Sequence, residues 1–276
     1  MGTLYVVSTP IGNLEDVTVR ALRVLKEVDL VCAEDTRRTK TLLDRYALKV
    51  RTVSLHAHNE ASRVEGVLEV LRGGGAVALV SDAGTPLLCD PGQRLVDAVI
   101  AEGQSVEAIP GASAVLTALA LSGLPAMPFA FLGYLPRRDG PRRQLLERYK
   151  DREETLVCFE SPHRVAASLA TLFEVLGPRQ ACVARELTKL HEEVVRDALD
   201  ELAKRFAGEQ RGEFTLVIAG APRDGVSLAW VDVEEQIASR LAGGGRPRDI
   251  ATELAPATGR PRREIYARAV ALREKT

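Results

Sequence analysis

Aromatic residues make up only 4% of the 276 residues, so any core must rest on aliphatic packing. Lysine is scarce as well: the 37 basic residues include seven lysines, and arginine carries nearly all the positive charge. Guanidinium groups suit forked contacts with carboxylates and phosphates wherever they cluster. The four cysteines, Cys32, Cys89, Cys158 and Cys182, stand far apart and form no CxxC pair. Neither a zinc ribbon nor a disulfide framework is suggested, and three of them sit in or beside apolar runs as small hydrophobes. No apolar stretch is long enough to span a bilayer, and the N-terminus runs straight into a strand-like segment, with no secretory leader. A cytoplasmic chain without a membrane partner is expected. Neither GxxxxGK(S/T) nor GxGxxG occurs, and Pro10 interrupts the first loop. That disfavours P-loop nucleotides and Rossmann dinucleotides. The formal net charge of −1 gives no global pull towards polyanions, although a local basic patch would suffice.

What is present is a regular alternation of apolar runs and helical patterns. The first half predicts strands at Leu4–Ser8, Leu30–Ala33, Thr52–Leu55, Ala76–Val80 and Val106–Ile109. Helices are expected at Val17–Val28, Thr39–Tyr46, Ala61–Arg72, Pro91–Glu102 and Ser113–Ser122. Short apolar runs separated by helices call for a mostly parallel sheet covered on both faces. Leu124–Pro128 breaks the pattern, and a domain boundary is placed there. Beyond it, strands near Ala130–Gly133, Thr155–Phe159, Gln180–Ala184 and Phe214–Ala219 predict a second α/β domain. Its helices are expected over Arg142–Tyr149, His163–Leu176 and Glu193–Phe206. After Gly220 the composition changes: Pro222–Gly225 reads as a turn and Gly243–Gly245 as a break. Short helices follow near Arg248–Leu254 and Arg263–Arg273. The resulting division is 1–124, 125–221 and a small helical basic tail, 222–276.

Ligands of parallel α/β sheets bind beyond the carboxyl ends of the strands, above all where strand order reverses. Five polar, Gly/Pro-rich motifs fall there: Ser8–Asn13, Glu34–Arg37, Ser81–Gly92, Pro110–Ser113 and Glu160–Arg164. One alone would read as a turn; five on one edge point to a site. Within Ser81–Gly92, Asp82 offers a carboxylate at the sheet edge, and Gly84 lets a ligand approach the backbone. Asp90-Pro91-Gly92-Gln93 reads as a helix start, with Asp90 as N-cap, Pro91 at the first helical position and Gln93 closing a capping box. On that reading Asp90 is structural and Asp82 is the ligand candidate. A ligand rich in hydroxyls, amines and a carboxylate, such as S-adenosylmethionine, suits these loops.

Taken in order, Leu4–Asp16, Ala33–Arg37, Leu55–Glu60, Ser81–Gly92, Pro110–Ser113, Phe159–Arg164, Ala184–Thr188 and Gly212–Thr215 resemble the motifs of the tetrapyrrole-methylase superfamily. The match is to its branch acting on small-subunit ribosomal RNA, and it covers nearly the whole chain. The resemblance implies a homodimer of two-domain α/β protomers with S-adenosylmethionine in the cleft between the domains. It implies 2′-O-methylation of a cytidine ribose in the decoding centre of 16S rRNA, with no role for DNA. By position it implies cofactor contacts at Pro10, Ile11, Gly12, Asp82, Gly84, Thr85, Ser113 and Ala114. The second domain would add Phe159, Glu213 and Phe214.

Methyl transfer from a sulfonium is an in-line displacement, so the protein must position the groups and manage the hydroxyl proton, without need of a metal. Candidate bases are Glu34, Asp35, His56, His58, Glu60 and Glu160, with Glu34, Asp35 and His56 placed first. Asp35 or Thr36 can instead cap the next helix, and His56 and His58 can be satisfied loop histidines. Candidate RNA contacts are Arg37, His58, Arg137, Arg164, Arg246, Arg262 and Arg263; Arg164 could equally be a helix-surface charge. From Arg246 onward the tail carries eight basic residues, Lys275 among them, against four acidic ones. Gly259–Ala267 reads as a turn entering a helix, so a helix–turn–helix-like element and an amphipathic pair packed on the body both stay open. Arg137, Arg138, Arg142 and Arg143 form a second basic cluster. Two other functions compete: an enzyme of the same fold acting on a tetrapyrrole or a protein side chain, and a non-catalytic RNA- or cofactor-binding protein.

Overall fold

The computed structural model describes residues 1–222, 230–258 and 260–274. Gly259, Lys275 and positions 223–225 of the expected turn lie outside the described residues.

The first sheet contains β1 (Thr3–Val7), β2 (Leu30–Ala33), β3 (Thr52–Ser54), β4 (Ala76–Val80) and β5 (Ser105–Ile109). It is wholly parallel, in the order β3-β2-β4-β1-β5, as the alternating pattern required. Side chains alternate between two cores. Leu4, Cys32, Val77 and Leu79 pack against Leu68 and Leu71 of α3 (Glu60–Arg72) and Leu95 and Val99 of α4 (Gln93–Ala101). Val7, Val31, Ala78 and Val80 pack on the other side with Ala21 and Leu25 of α1 (Val19–Glu27) and Leu42 and Leu43 of α2 (Thr36–Arg45). Burial on both faces is why these strands read as unbroken apolar runs. From β1 the chain crosses towards β2, whereas from β4 it crosses the other way to β5. The loops leaving these neighbouring strands therefore diverge, which opens a crevice at the switch point. There Thr9 N–H donates to the Gly84 carbonyl at 2.9 Å, and Gly84 N–H donates back to Thr9 at 3.0 Å.

The second sheet holds β6 (Phe129–Tyr134), β7 (Thr155–Glu160), β8 (Gln180–Arg185), β9 (Glu193–Ala198) and β10 (Phe214–Ile218), in the order β6-β7-β10-β8-β9. Only β6 and β7 are parallel neighbours; the remaining pairs are antiparallel. One face packs against α6 (Asp139–Glu147), α7 (Val165–Leu176) and α8 (Leu199–Arg205). The other face is covered by α5 (Ala114–Ser122), whose Val115, Ala118 and Leu119 join Val157, Cys182, Ala184 and Val217 in one core. This helix closes the first series in sequence yet packs on the second sheet. Both sheets and α1–α8 lie in one compact unit, residues 1–150 and 154–219.

One expected helix is corrected. Glu193–Phe206 is not continuous: Glu193–Ala198 forms β9, paired antiparallel with β8 from Gln180 opposite Ala198 to Arg185 opposite Glu193. Val194 and Val195 are β-branched and meet an open sheet edge, so tertiary pairing overrides the local helical pattern.

Residues 151–153 and 220–276 make a second compact unit. It carries α9 (Trp230–Ala242), α10 (Pro247–Thr258) and α11 (Arg262–Glu274), one helix more than expected. Val233 and Ile237 of α9 sit one helical turn apart and share a core with Ile250, Ala251, Leu254, Ile265 and Ala269. The Trp230 ring lies under two guanidinium groups, Arg260 at 4.8 Å and Arg268 at 3.9 Å from its centroid. Among the described residues no helix is long and apolar enough to cross a membrane.

Candidate active site

Loops from both sheets of the larger unit enclose a cavity of about 240 Å³. The loop after β1 contributes Ile11, the β2–α2 junction contributes Glu34 and Arg38, and the loop after β4 contributes Asp82 to Thr85 and Leu88 to Asp90. Ser113 and Ala114 enter at the start of α5, where the Ser113 hydroxyl accepts from Leu116 N–H at 3.4 Å. Opposite them stand Tyr134 at the end of β6, Phe159 and Glu160 of β7, and Glu213 and Phe214 at the start of β10.

Gly84 shows why the backbone can turn into this space. Its φ is +80°, a region that favours glycine, and an added Cβ would lie 3.4 Å from Ile11 Cγ2. All the residues assigned to the cofactor line the cavity except Pro10 and Gly12. Gly12 instead packs on the loop after β8, where a Cβ would fall 2.5 Å from Lys189 Cγ and 2.8 Å from the Leu187 carbonyl.

Five carboxylates, Glu34, Asp82, Asp90, Glu160 and Glu213, share the cavity with Arg38. Asp82 accepts from Asp35 N–H at 2.9 Å, and Arg38 Nε lies 3.5 Å from its other oxygen. Burial raises Asp90 to about 6, and the neighbouring charges of Glu34 and Asp82 push the same way. Burial, followed by the Asp82 charge, also raises Glu34. Tyr134 is raised by burial and then by Glu213, so its phenol stays protonated as a donor. Phe159 is flanked by the rings of Phe131 and Tyr134, with centroids 5.0 and 5.6 Å away, so a chain poor in aromatics gathers three of them here.

The structure corrects the reading of Asp90 as a helix cap. Helix α4 begins at Gln93, and its N-cap position is Gly92, with φ +127° and no side-chain cap. The cap comes from Glu60, which accepts from Arg94 N–H at 2.8 Å and Leu95 N–H at 3.3 Å. An L-residue at Gly92 would bring its Cβ 2.7 Å from Leu79 Cδ2, so the chain turns sharply there instead of entering the helix at Pro91. Asp90 is thereby released to face the cavity, while Glu60, weighed as a base, is buried at the cap.

The other proposed catalytic groups sit differently. Asp35 is the N-cap of α2, accepting from Arg37 N–H at 2.9 Å and from the Arg37 guanidinium at 3.1 and 2.8 Å. Those bonds hold its carboxyl down to about 2, and it does not line the cavity. His56 and His58 also lie outside the lining, with their rings 6.1 Å apart. The His56 N–H donates to Asn59 Oδ1 at 2.8 Å.

Among the residues assigned to RNA, Arg37, His58, Arg137, Arg246, Arg262 and Arg263 are exposed. Arg164 is partly buried. It donates to Glu160 Oε1 at 2.5 Å, to the Leu135 carbonyl at 3.0 Å and to Ser161 Oγ at 3.1 Å. Glu160 is buried and also accepts from Ser168 Oγ at 2.5 Å and Ser161 N–H at 2.7 Å. Arg164 is thus the counter-ion of a buried carboxylate and ties the loops after β6 and β7 together. Within the second basic cluster, Arg142 is bonded to Asp139 and Thr171, and Arg143 to Asp139 and Glu174. The sequence reading missed Arg38, Leu88, Cys89 and Tyr134 as lining residues. Leu88 and Cys89 lie within Ser81–Gly92 and Arg38 directly follows Glu34–Arg37, so of the four only Tyr134 stood apart from a motif already singled out.

The Tetrapyrrole (Corrin/Porphyrin) Methylases family matches residues 3–203. A "Ribosomal RNA small subunit methyltransferase I" from Micromonospora olivasterospora is 46% identical over 272 residues, covering 96% of this chain and 85% of that one. The chain belongs to this family. A methyltransferase of the same name from Thermotoga maritima is 45% identical over 221 residues, 80% of this chain and 99% of its own length. About a fifth of the present methyltransferase therefore has no counterpart there. Among solved structures, the methyltransferase CobJ is 20% identical with a TM-score of 0.62, covering 80% of this chain and 95% of CobJ. Uroporphyrin-III C-methyl transferase from Thermus thermophilus, complexed with S-adenyl homocysteine, is 21% identical with a TM-score of 0.56, covering 79% and 97%. Both share the fold.

S-adenosylmethionine is the cofactor of this methyltransferase. The donor set of the cavity fits it. Glu34, Asp82, Asp90 and Glu213 suit a ligand bearing sulfonium and ammonium charges, and Phe159 and Tyr134 offer ring faces. The turn at Gly84 presents backbone groups that no Cβ screens.

Proposed function

We propose that this methyltransferase modifies the ribose 2′-hydroxyl of a cytidine in the decoding centre of 16S rRNA, as a cytoplasmic homodimer. The observation that carries the chemistry is the carboxylate cluster in the cavity, where burial gives Glu34 and Asp90 a raised affinity for protons. The relatives' names support the choice of RNA as substrate.

When bound, the cofactor supplies an electrophilic methyl group. The residues lining the cavity would hold that methyl group against the ribose, and a carboxylate among them would take the proton of the 2′-hydroxyl. Glu34 is the best-placed acceptor of the three residues put first. The Asp35 carboxylate is occupied by the helix start and Arg37, and His56 does not line the cavity. A carboxylate whose affinity for protons is raised, as burial and the Asp82 charge raise that of Glu34, is a better base than one at its ordinary value.

Asp82, Gly84, Thr85, Ser113 and Ala114 would hold the cofactor from the first sheet, with Ile11 beneath and Phe159, Glu213 and Phe214 opposite. Pro10 and Gly12 would act behind them by shaping the first loop. Arg37, His58 and Arg137 on the larger unit, and Arg246, Arg262 and Arg263 on the helical unit, would meet RNA phosphates. Arg164 is better explained as a clasp on Glu160.

A tritiated methyl-transfer assay decides between readings. Small ribosomal subunits, free 16S rRNA, a tetrapyrrole and a mock protein substrate are each offered with labelled cofactor. Label is expected on the ribosomal substrates, at a cytidine whose 3′ linkage resists alkaline hydrolysis. Label on a base, on the tetrapyrrole or on protein would refute the proposal.

A further inference from the structure

The most asymmetric charge in the chain lies beside the cavity. Between Thr36 and Thr52 stand Arg37, Arg38, Lys40, Arg45, Lys49 and Arg51, against the single carboxylate of Asp44. This occurs in a protein of formal net charge −1. The structure gathers part of the segment around a surface hollow of about 330 Å³ between α2 and the approach to β3. Arg37, Lys40 and Lys49 line it over a floor of Leu43, Leu48 and Val50, with Asp44 as the one acid in its wall.

Two of these cations carry an ion pair, Arg37 with Asp35 and Arg38 with Asp82. Lys40 and Lys49 are exposed, and among the described residues neither is ion-paired. Arg38 also lines the active-site cavity, so α2 joins the hollow to that site through adjacent residues, Arg37 and Arg38.

We propose that this hollow grips the phosphate backbone of the RNA flanking the nucleotide whose ribose enters the cavity. The inference rests on the RNA reading above and adds a surface to it. A nucleotide seated in the cavity carries its neighbours' phosphates outside the mouth, and charges next to the mouth set register without reading sequence. The larger unit also holds the cavity itself, so a grip on it keeps the RNA in register with the site.

The test is the double variant Lys40→Gln/Lys49→Gln, assayed with unmethylated small ribosomal subunits and, by binding alone, with a 16S rRNA transcript. KM for the subunit is expected to rise about tenfold, with kcat at saturation and cofactor Kd unchanged. The slope of log affinity against log salt should fall by roughly 1.4 for two lost contacts to single-stranded RNA. An unchanged slope and KM would overturn the proposal. So would an equal loss in the control Lys150→Gln/Lys204→Gln, which changes the same charge elsewhere. If the wild-type chain transfers no methyl to subunits, the functional reading falls instead; the hollow is then judged by the transcript-binding slopes alone.

Discussion

Asp90 titrates where a cell can use it, and its two consequences run in opposite directions. Its carboxyl is raised from 3.8 to about 6 because burial and two neighbouring acids disfavour the anion. The folded protein therefore holds a proton more tightly than the unfolded chain. The stability this contributes is present below pH 3.8 and is lost as pH rises to about 6. Asp90→Asn should then stabilise the fold at pH 7 but not at pH 3.5, measured by urea titration at both values. The full shift corresponds to roughly 3 kcal/mol, and partial exposure reduces the expected gain to about 1–2 kcal/mol. Cofactor binding responds the other way. A cationic ligand needs Asp90 and Glu34 ionised, so its affinity should fall as pH drops through about 6. Calorimetric titration from pH 5 to 8 should show proton release on binding, and Asp90→Asn should flatten the profile. The sequence hid this because Asp-Pro-Gly-Gln is locally a sound helix start. What overrides it is Glu60, thirty residues earlier in the chain, which no local pattern connects to α4.

Secondary elements held by buried carboxylates should fail in specific ways when those carboxylates lose their partners. Glu60 satisfies two backbone donors at the start of α4. Glu60→Ala leaves both unpaired in a buried setting and should cost about 1–3 kcal/mol in denaturant unfolding; Glu60→Gln, which keeps an acceptor, should cost less. Arg164→Met strands the buried Glu160 charge and should cost about 3–5 kcal/mol, with Arg164→Lys in between. If Arg164 is a clasp, the Lys variant should bind RNA as the wild type does. Loss of RNA affinity in a stably folded Lys variant would restore a phosphate role. At this scale the first sheet was readable because β1, β2 and β4 are apolar on both faces and their runs are continuous. Strand β9 was not, because the edge strand Glu193–Ala198 sets only the adjacent Val194 and Val195 among Glu, Arg and Asp, and its pairing with β8 is what distinguishes it from the helix that follows.

In the whole chain, packing does not follow linear order. Helix α5 belongs to the first series in sequence and to the second sheet in packing, so a Pro-rich break at 124–128 does not record which core the preceding helix joins. The tail makes the same point. No helix was expected over Trp230–Ala242, yet its Val233 and Ile237 complete the core formed with α10 and α11. A cut after Gly243 would therefore strip α9 of its partners and leave two buried aliphatics exposed, which confounds any test of RNA binding. Ending the chain at Pro222 removes the three helices together and keeps residues 220–222, where Ala221 N–H donates to the Arg152 carbonyl at 2.6 Å. The shortened protein should retain cofactor Kd within about twofold and the thermal transition of the sheet-bearing unit, since the cavity is lined only by residues of that unit. If Arg246, Arg262 and Arg263 meet phosphates, KM for small subunits should rise about tenfold or more and the salt slope should fall by roughly 0.7 per lost contact. Unchanged KM and slope would assign the grip on RNA to the larger unit alone. The three helices would then be a stabilising appendage whose arginines serve Trp230, Glu234 and Glu253.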